Sequence, residues 1–367
     1  MDQTKRLAGL IQERLEDLLD MHQRELEALG SDVQSLFDEA RSYLTGGKRL
    51  RAGFAVLGYQ SVRKLDLNAE VTAELRHVLD AACALELFHA AALMHDDIID
   101  RSATRRGRDS THERFTRLHR DERLRGDAAH FGLSAAILLG DLLQSWADEL
   151  LQRACDANGD RAAARAAREH FNRMRSEVAL GQYLDVLEEQ QPYFAPEDEQ
   201  LARSTRVLVY KSAKYSVEAP LLIGAALAGA SEEQESALSE FGLPVGVAFQ
   251  LRDDLLGVFG DPDVTGKPIG DDLREGKRTV LVTLAREGLP GTQRRLFDEM
   301  LGDRELDDEQ IVMMQRTIRD SDAVRRVEQM ITRNVDRASA ALDFAPLRSE
   351  TREQLVALAD RAVRRNY

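Results

Sequence analysis

The stretch ELFHAAALMHDDIID, residues 86–100, joins an apolar run to three aspartates. The run from Leu85 to Met94 is so apolar that it predicts a buried helix. Asp96 and Asp100 are four residues apart, so both carboxylates project from one face of that helix, with Asp97 beside them. Crowded carboxylates repel one another unless a cation lies between them, and hard oxygen ligands suit Mg²⁺. Taken alone, the motif fits a solubilising helix end equally well.

Helical periodicity extends outward from this stretch over most of the chain. Apolar residues at helical spacing fill five long runs: Leu7–Leu29, Ala69–Asp100, Phe131–Asp156, Ala162–Glu189 and Leu201–Ala228. No proline precedes Pro192, good helix formers dominate, and strand signals are nearly absent. Pro220 predicts a kink or break in the last run. Because no repeat or low-complexity linker divides residues 1–367, the sequence predicts one all-α domain rather than two.

Composition excludes several classes of protein. Two cysteines, Cys83 and Cys155, cannot build a disulfide framework or a four-thiolate metal site, and they suit a reducing, cytoplasmic location. No window approaches 18 consecutive apolar residues, and Met1–Leu10 lacks the apolar core of a signal peptide, so neither a membrane span nor export is expected. With 50 basic and 64 acidic residues, the net charge of −14 argues against nucleic acid as a partner.

Two interruptions of the helical pattern carry concentrated positive charge. The first, TGGKRLR at residues 45–51, is a glycine pair followed by cations, and such a turn can present backbone N–H groups and fixed charge to an anion. The second, the predicted loop at residues 101–126, contains nine arginines and four acids. The forked guanidinium suits phosphate oxygens. Each interruption also fits an ordinary basic surface loop.

A second aspartate pair makes the interpretation specific. FQLRDDLLG, residues 249–257, places Asp253 and Asp254 at the end of an apolar helix predicted over Val245–Val258, and TGKPIGDD, residues 265–272, follows. A metal-bound diphosphate requires two such acidic helix ends with cations just downstream. Carboxylates hold Mg²⁺, Mg²⁺ bridges phosphate oxygens, and Lys or Arg neutralises the remaining charge.

In these motifs the chain resembles the trans-isoprenyl diphosphate synthases, the group that includes farnesyl and geranylgeranyl diphosphate synthases. The matching stretches follow the family's order from Gly46 to Thr279: GGKRLR, ELFH, DDIID, TRRG at 104–107, GD at 140–141, GQYLD at 181–185, KS at 211–212, RDD, and GKPIGDDLREGKRT. The resemblance implies an all-α isoprenoid synthase fold, a single polyprenyl synthetase domain of ten or more helices around a central cavity. It also implies a homodimer.

The resemblance implies a role for each matching residue. Isopentenyl diphosphate would be bound by Lys48, Arg51, His89 and Arg106. The allylic diphosphate would be bound by Arg105, Lys211, Ser212, Gln250, Lys267 and Lys277, with Ser212 standing where the family usually has Thr. Mg²⁺, three ions to a site, would be ligated by Asp96, Asp100 and Asp253, with support from Asp97 and Asp254. The residues on which catalysis depends most directly would be Asp96, Asp100, Lys211 and Asp253.

The implied reaction is a Mg²⁺-dependent prenyl transfer, in which the allylic diphosphate ionises, the cation condenses with isopentenyl diphosphate and a proton is lost. One departure is Gly257, which stands where the family commonly has the last aspartate of a second DDxxD, and Asp261 is too far along to share its face. Two alternatives stay open on the residues alone. A non-catalytic regulatory subunit is favoured only by Gly257, and a class I terpene cyclase would need no GGKRLR turn.

Product length follows from the residues just before Asp96. Along the helix, Ala92 and Ala91 lie about 6 to 8 Å from Asp96 and are too small to block a growing chain. Phe88 is the next bulky residue on that stripe, about 12 Å from Asp96. The sequence therefore predicts geranylgeranyl diphosphate, C20, as the product. If Phe88 belongs to ordinary core instead, the product would be longer, and a farnesyl product remains the shorter alternative.

Overall fold

The computed structural model describes residues 3–190, 197–261 and 269–363, and these are almost entirely helical. They group into two compact units. Unit 1 comprises Met1–Phe171, Pro220–Glu235 and Leu347–Leu355, and unit 2 comprises Asn172–Ala219, Ser236–Pro346 and Val356–Tyr367. The all-α class and the expectation of ten or more helices are confirmed. The single domain over residues 1–367 stays a prediction.

The first part of the chain forms six α-helices and one short hairpin. The helices are α1 Gln3–Glu25, α2 Gln34–Leu44, α3 Leu50–Val62, α4 Ala73–Ile99, α5 Thr111–Asp121 and α6 Ala128–Asp156. Two short 3₁₀ turns, Glu27–Leu29 and Ser31–Val33, join α1 to α2. The strands β1 Thr104–Arg105 and β2 Arg108–Asp109 pair antiparallel between α4 and α5.

The remainder is also helical. It comprises α7 Arg161–Gln190, α8 Glu197–Val207, a π-helical segment Leu208–Glu218, α9 Ala219–Leu227, α10 Glu232–Phe259, α11 Asp271–Glu275, α12 Val280–Gly288, α13 Gly291–Met300, α14 Asp308–Asp320, α15 Ala323–Leu342 and α16 Ser349–Val363.

The predicted helical runs correspond to helices of the structure, with two differences. The break expected from Pro220 takes the form of the π-helical segment, which ends two residues before this proline. The prediction of a loop at residues 101–126 was wrong, because this stretch contains the β1–β2 hairpin and α5. α5 is strongly amphipathic, and it buries Phe115 and His119 while its arginines remain largely outside.

α4 is the central helix of unit 1. It is buried along nearly its whole length and packs most extensively against α6, with α3 and α1 on other sides. Its N-cap is Thr72, whose side-chain oxygen accepts a hydrogen bond from the backbone N–H of Leu75 at 3.2 Å. By length and composition α4 could cross a membrane, but 83% of its most apolar window is buried, as in the core helix of a globular protein.

α3 and α9 meet in unit 1 at two glycines. A Cβ added to Gly224 would lie 1.8 Å from the carbonyl oxygen of Ala55, and one added to Gly58 would lie 2.1 Å from that of Leu221. Neither distance is compatible with a real carbon–oxygen contact. The two backbones can therefore approach this closely only because both positions lack a side chain.

Unit 2 has an apolar core built from α10, α12, α14 and α15. Its fully buried members include Leu255, Leu281, Ile318 and Val327. The side-chain amide of Gln315 in α14 donates a hydrogen bond of 2.6 Å to the carbonyl oxygen of Val258. This bond satisfies a buried polar side chain and fastens α14 to the end of α10.

We expect Gly224→Ala to destabilise the protein by about 1–3 kcal/mol, because the new methyl group forces α3 and α9 apart. Gly9→Ala is the matched control. A Cβ added to Gly9, inside α1, would meet no atom of the described residues within 4 Å, so that change should stabilise by about 0.5–1 kcal/mol. Chemical denaturation of both variants measures the two effects. Equal and small changes would show that the glycine contact is not required.

Candidate active site

The glycine turn that the sequence singled out joins α2 to α3 in unit 1. Gly46 and Gly47 have φ values of 76° and 90°, and Arg49 has a φ of 50°, so the chain reverses through left-handed backbone before α3 begins at Leu50. Lys48 is exposed within this turn, and Arg51 lies in the first turn of α3. The turn that the sequence predicted between two helices is therefore present, and its binding of an anion stays a prediction.

A buried ion pair holds the turn against α4. The guanidinium of Arg49 lies 3.2 Å from the Glu86 carboxylate and also donates to the carbonyl oxygen of Leu44 and to Gln12. The other oxygen of Glu86 accepts the backbone N–H of Ala52 at 3.1 Å. Both residues lie in motifs of the resemblance, but sequence reasoning gave them no role. The structure shows them as the anchor that positions the turn.

The first acidic cluster consists of Asp96, Asp97 and Asp100 at the end of α4. Asp97 is fully buried and accepts from Arg105 of β1, with an Nε–Oδ1 distance of 2.8 Å. The same guanidinium lies 3.5 Å from Asp96. Burial alone would lower the pKa of Arg105, but the charge of Asp97 and its hydrogen bond outweigh burial and raise that pKa. Arg105 is therefore permanently charged and partly neutralises the cluster.

His89, two turns before this cluster in α4, lies in a cationic environment. Burial lowers the pKa of His89 well below its ordinary value, and Arg51, Arg106 and Arg105 lower it further. His89 is thus neutral near pH 7, and the four side chains share one region of unit 1. Among the residues assigned to isopentenyl diphosphate, the structure brings His89, Arg51 and Arg106 together.

Tyr43 is a member of this region that the sequence analysis missed. The guanidinium of Arg106 lies 5.9 Å from the centre of the Tyr43 ring, within range of a cation–π contact. The hydroxyl oxygen of Tyr43 is buried and has no hydrogen-bond partner among the described residues. Burial raises the pKa of the phenol, as does the charge of Asp97, so the hydroxyl is a donor at neutral pH. A tyrosine three residues before the glycine pair is the sequence signal that could have identified it.

In unit 2, Asp185 of α7 forms ion pairs with two of the lysines assigned to the allylic diphosphate. The Lys211 ammonium lies 2.5 Å from an Asp185 oxygen, and the Lys277 ammonium lies 3.3 Å from the same oxygen. Lys277 also lies 3.2 Å from Glu189, one turn further along α7. A Cβ on Gly181 would meet the backbone nitrogen of Lys211 at 2.4 Å, so this glycine allows α7 to approach the π-helical segment. Asp185 lies in GQYLD, which the sequence analysis matched without assigning it a role.

The second acidic cluster begins with Asp253 and Asp254 in α10. Asp254 is buried and accepts a hydrogen bond of 2.8 Å from the side-chain amide of Gln250. Burial raises the pKa of Asp254 well above its ordinary value. The amide opposes this effect, and the charges of Asp272, Asp253 and Asp185 add to it. Carboxylates whose charges act on a common neighbour are a donor set of hard oxygens that fits a divalent cation such as Mg²⁺.

The remaining assigned residues are placed as follows. Ser212 follows Lys211 in the π-helical segment, and Gln250 directs its amide nitrogen to Asp254. Lys267 lies outside the described residues. The roles that the resemblance gave to all these side chains stay predictions.

A model of the polyprenyl synthetase family matches residues 34–318. The chain belongs to the polyprenyl synthetase family. It is therefore a prenyltransferase that condenses isopentenyl diphosphate with an allylic diphosphate. The fold prediction is confirmed, because a geranylgeranyl pyrophosphate synthase of Corynebacterium glutamicum, solved with isoprenyl diphosphate and magnesium, superposes with a TM-score of 0.91 at 38% identity over 100% of both chains.

Its relatives differ in the products for which they are named. The chain is 31% identical over 296 residues to a short chain isoprenyl diphosphate synthase of Methanocaldococcus jannaschii, covering 80% of each chain. It is 30% identical over 356 residues to an octaprenyl diphosphate synthase of Escherichia coli, covering 96% of each. Family membership thus establishes the type of reaction and the binding of a divalent metal, and leaves product length to the residues of this chain.

We expect Tyr43→Phe to raise the KM for isopentenyl diphosphate about three- to tenfold, because the variant keeps the ring beside Arg106 and loses only the hydroxyl donor. The KM for the allylic substrate and the kcat should change little. Tyr183→Phe, at an exposed position of α7, is the matched control and should change neither constant. An unchanged KM in Tyr43→Phe would contradict a contact between this hydroxyl and the substrate.

Proposed function

We propose that this prenyltransferase makes geranylgeranyl diphosphate, C20. The observation that carries the proposal is the stripe on α4 that leads away from the first acidic cluster, on which Ala92 and Ala91 are small and Phe88 is the first bulky side chain. The likeness over the full chain to a geranylgeranyl pyrophosphate synthase of Corynebacterium glutamicum supports the same product length.

Phe88 is suited to act as a fixed floor, meaning the side chain that ends the space available to the growing prenyl chain. It is 4% exposed, and its ring packs edge-on against Phe171 of α7 with 6.1 Å between the ring centres. Phe171 is itself completely buried, so it limits the rotamers that Phe88 can adopt. A floor about 12 Å from Asp96 leaves room for about one isoprene unit more than an aromatic at residue 91 or 92 would allow.

In the proposed mechanism the two substrates are held by different cationic side chains. Lys48, Arg51, His89 and Arg106 bind the diphosphate of isopentenyl diphosphate, and Arg105, Lys211 and Lys277 bind that of the allylic substrate. Asp185 holds both lysine ammonium groups in place until the diphosphate arrives. Placing isopentenyl diphosphate on its own cations brings its double bond to the allylic carbon before water reaches it.

The chemistry then needs charge stabilisation more than a nucleophilic side chain. Asp96 and Asp100 at the end of α4, and Asp253 in α10, would hold Mg²⁺, which would supply positive charge to stabilise the departing diphosphate. Arg105 and the two lysines stabilise the same charge. A C–C bond then forms between the allylic carbon and the isopentenyl double bond, and the released diphosphate accepts the proton that is lost.

We further propose that the protein works as a homodimer through α6. Leu133 and Ile137, four residues apart on one face of this helix, are 37% and 44% exposed in the single chain, and Leu138, which follows Ile137, is 63% exposed. Helical spacing makes Leu133 and Ile137 neighbours, and a group of exposed apolar side chains of this kind is typical of a protein interface.

Product length is tested with purified protein, isopentenyl diphosphate, an allylic diphosphate and Mg²⁺, with products identified by mass. We expect a C20 diphosphate as the end product, and Asp96→Ala should show at least a thousandfold lower turnover with unchanged helical content. Asp121→Asn, an exposed acid at the end of α5, is the control and should behave as wild type. A longer or shorter end product would overturn the C20 proposal.

Phe88→Ala tests the floor directly. Removing the ring should let the chain grow by at least one further isoprene unit, so that products longer than C20 appear. Phe115→Ala removes a ring of equal burial from α5 and should leave the product length unchanged while costing about 3–5 kcal/mol of stability. An identical product distribution in Phe88→Ala and wild type would show that another part of the protein limits the chain.

A further inference from the structure

The second acidic motif of this chain ends in a glycine where a third carboxylate is expected. Asp253 and Gly257 are four residues apart in α10, so a side chain at residue 257 would lie on the same face as Asp253, one turn further on. An acidic residue there would complete the motif. Without it, the cluster needs its remaining oxygens from another part of the chain.

The space beside Gly257 is filled by one side chain. A Cβ added to Gly257 would lie 1.9 Å from Oδ2, 2.5 Å from Cγ and 3.0 Å from Oδ1 of Asp272, and these are its three nearest atoms. Within an aspartate the Cβ lies about 2.4 Å from its own carboxylate oxygens, as ordinary bond lengths require. The Asp272 carboxylate therefore lies close to where the carboxylate of an aspartate at residue 257 would begin.

The backbone around Asp272 holds this side chain in position. α11 begins after Gly270, which has a φ of 68°, and Leu273 is completely buried in the core of unit 2. The carbonyl oxygen of Asp272 accepts the backbone N–H of Lys277 at 3.0 Å, and that of Leu273 accepts the N–H of Gly302 at 2.9 Å. A short helix anchored on both sides keeps the Asp272 carboxylate against α10.

The charge environment agrees with a shared cation site. Among the carboxylates that act on the buried Asp254, Asp272 has the largest effect, followed by Asp253 and Asp185. Asp272, Asp253 and Asp185 are thus close enough to Asp254 for their charges to act on it within unit 2, which also contains the two lysines paired with Asp185. Their mutual repulsion is relieved when a divalent cation binds.

We propose that Asp272 replaces the aspartate that Gly257 lacks, so that the second acidic cluster is built from Asp253 and Asp254 of α10 together with Asp272 of α11, and binds a divalent cation. This inference rests on the proposed role of Asp253 as a metal ligand. It explains why glycine occupies residue 257: any side chain there would displace the carboxylate that completes the site.

A reciprocal exchange tests the inference without measuring turnover. The probe is Mg²⁺ titrated in the presence of inorganic diphosphate, and the readout is the rise in melting temperature. We expect Asp272→Ala to raise the Mg²⁺ concentration at half-maximal stabilisation at least tenfold. Asp272→Asn keeps the shape of the side chain without its charge and should do the same. Asp271→Ala, the neighbouring acid of α11, should shift this concentration less than threefold.

Gly257→Asp alone should lower the melting temperature without Mg²⁺, because two carboxylates then compete for one space. The double variant Gly257→Asp with Asp272→Ala should recover both the melting temperature and a Mg²⁺ requirement within about threefold of wild type. A double variant that responds as weakly as Asp272→Ala would overturn the inference. So would an unchanged Mg²⁺ response in Asp272→Ala and Asp272→Asn.

The outcome for the wild-type protein separates this inference from the proposed function. If Mg²⁺ with diphosphate does not stabilise wild type, the metal assignment of Asp253 fails and the inference fails with it. If wild type is stabilised and the Asp272 variants respond equally, only the role of Asp272 is wrong.

Discussion

Repulsion among closely spaced carboxylates is the constraint on which both acidic clusters depend. At the end of α4 this repulsion is reduced by Arg105, whose guanidinium lies against the fully buried Asp97 and near Asp96. In unit 2 the charges of Lys211 and Lys277 converge on Asp185. Such buried pairs cost desolvation, and breaking one leaves an uncompensated charge. Arg105 thus holds part of the first cluster in place, and Asp185 holds two lysines in place within unit 2.

Close backbone approach at glycines positions several other helices of the two units. Gly181 allows α7 to reach the π-helical segment at Lys211, and Gly224 allows α9 to reach α3. The π-helical geometry itself changes the register of side chains around Lys211, a feature that is common where helices carry functional residues. Apolar packing elsewhere makes these helices rigid, so small residues at a few contacts determine where charged side chains meet.

Much of the molecule could be predicted from local pattern. The apolar run before Asp96 predicted α4, the glycine pair predicted the turn before α3, and the proline predicted an irregularity near residue 220. These features depend on neighbours within about one helical turn, so the sequence displays them directly. The stretch at residues 101–126 was mistaken for a loop because its many arginines hide the amphipathic pattern of α5, whose buried side includes His119 and Thr116.

The sequence by itself determined the class of fold, the two acidic motifs and the family to which the chain belongs, because these rest on residue types at short spacing. Only the tertiary structure decided which side chains meet across helices. Tyr43 reaches Arg106, and Asp272 lies against Gly257, although the members of each pair lie on different elements of the chain. No periodicity encodes such contacts, since they follow from how packed helices and a short anchored segment bring distant backbone together.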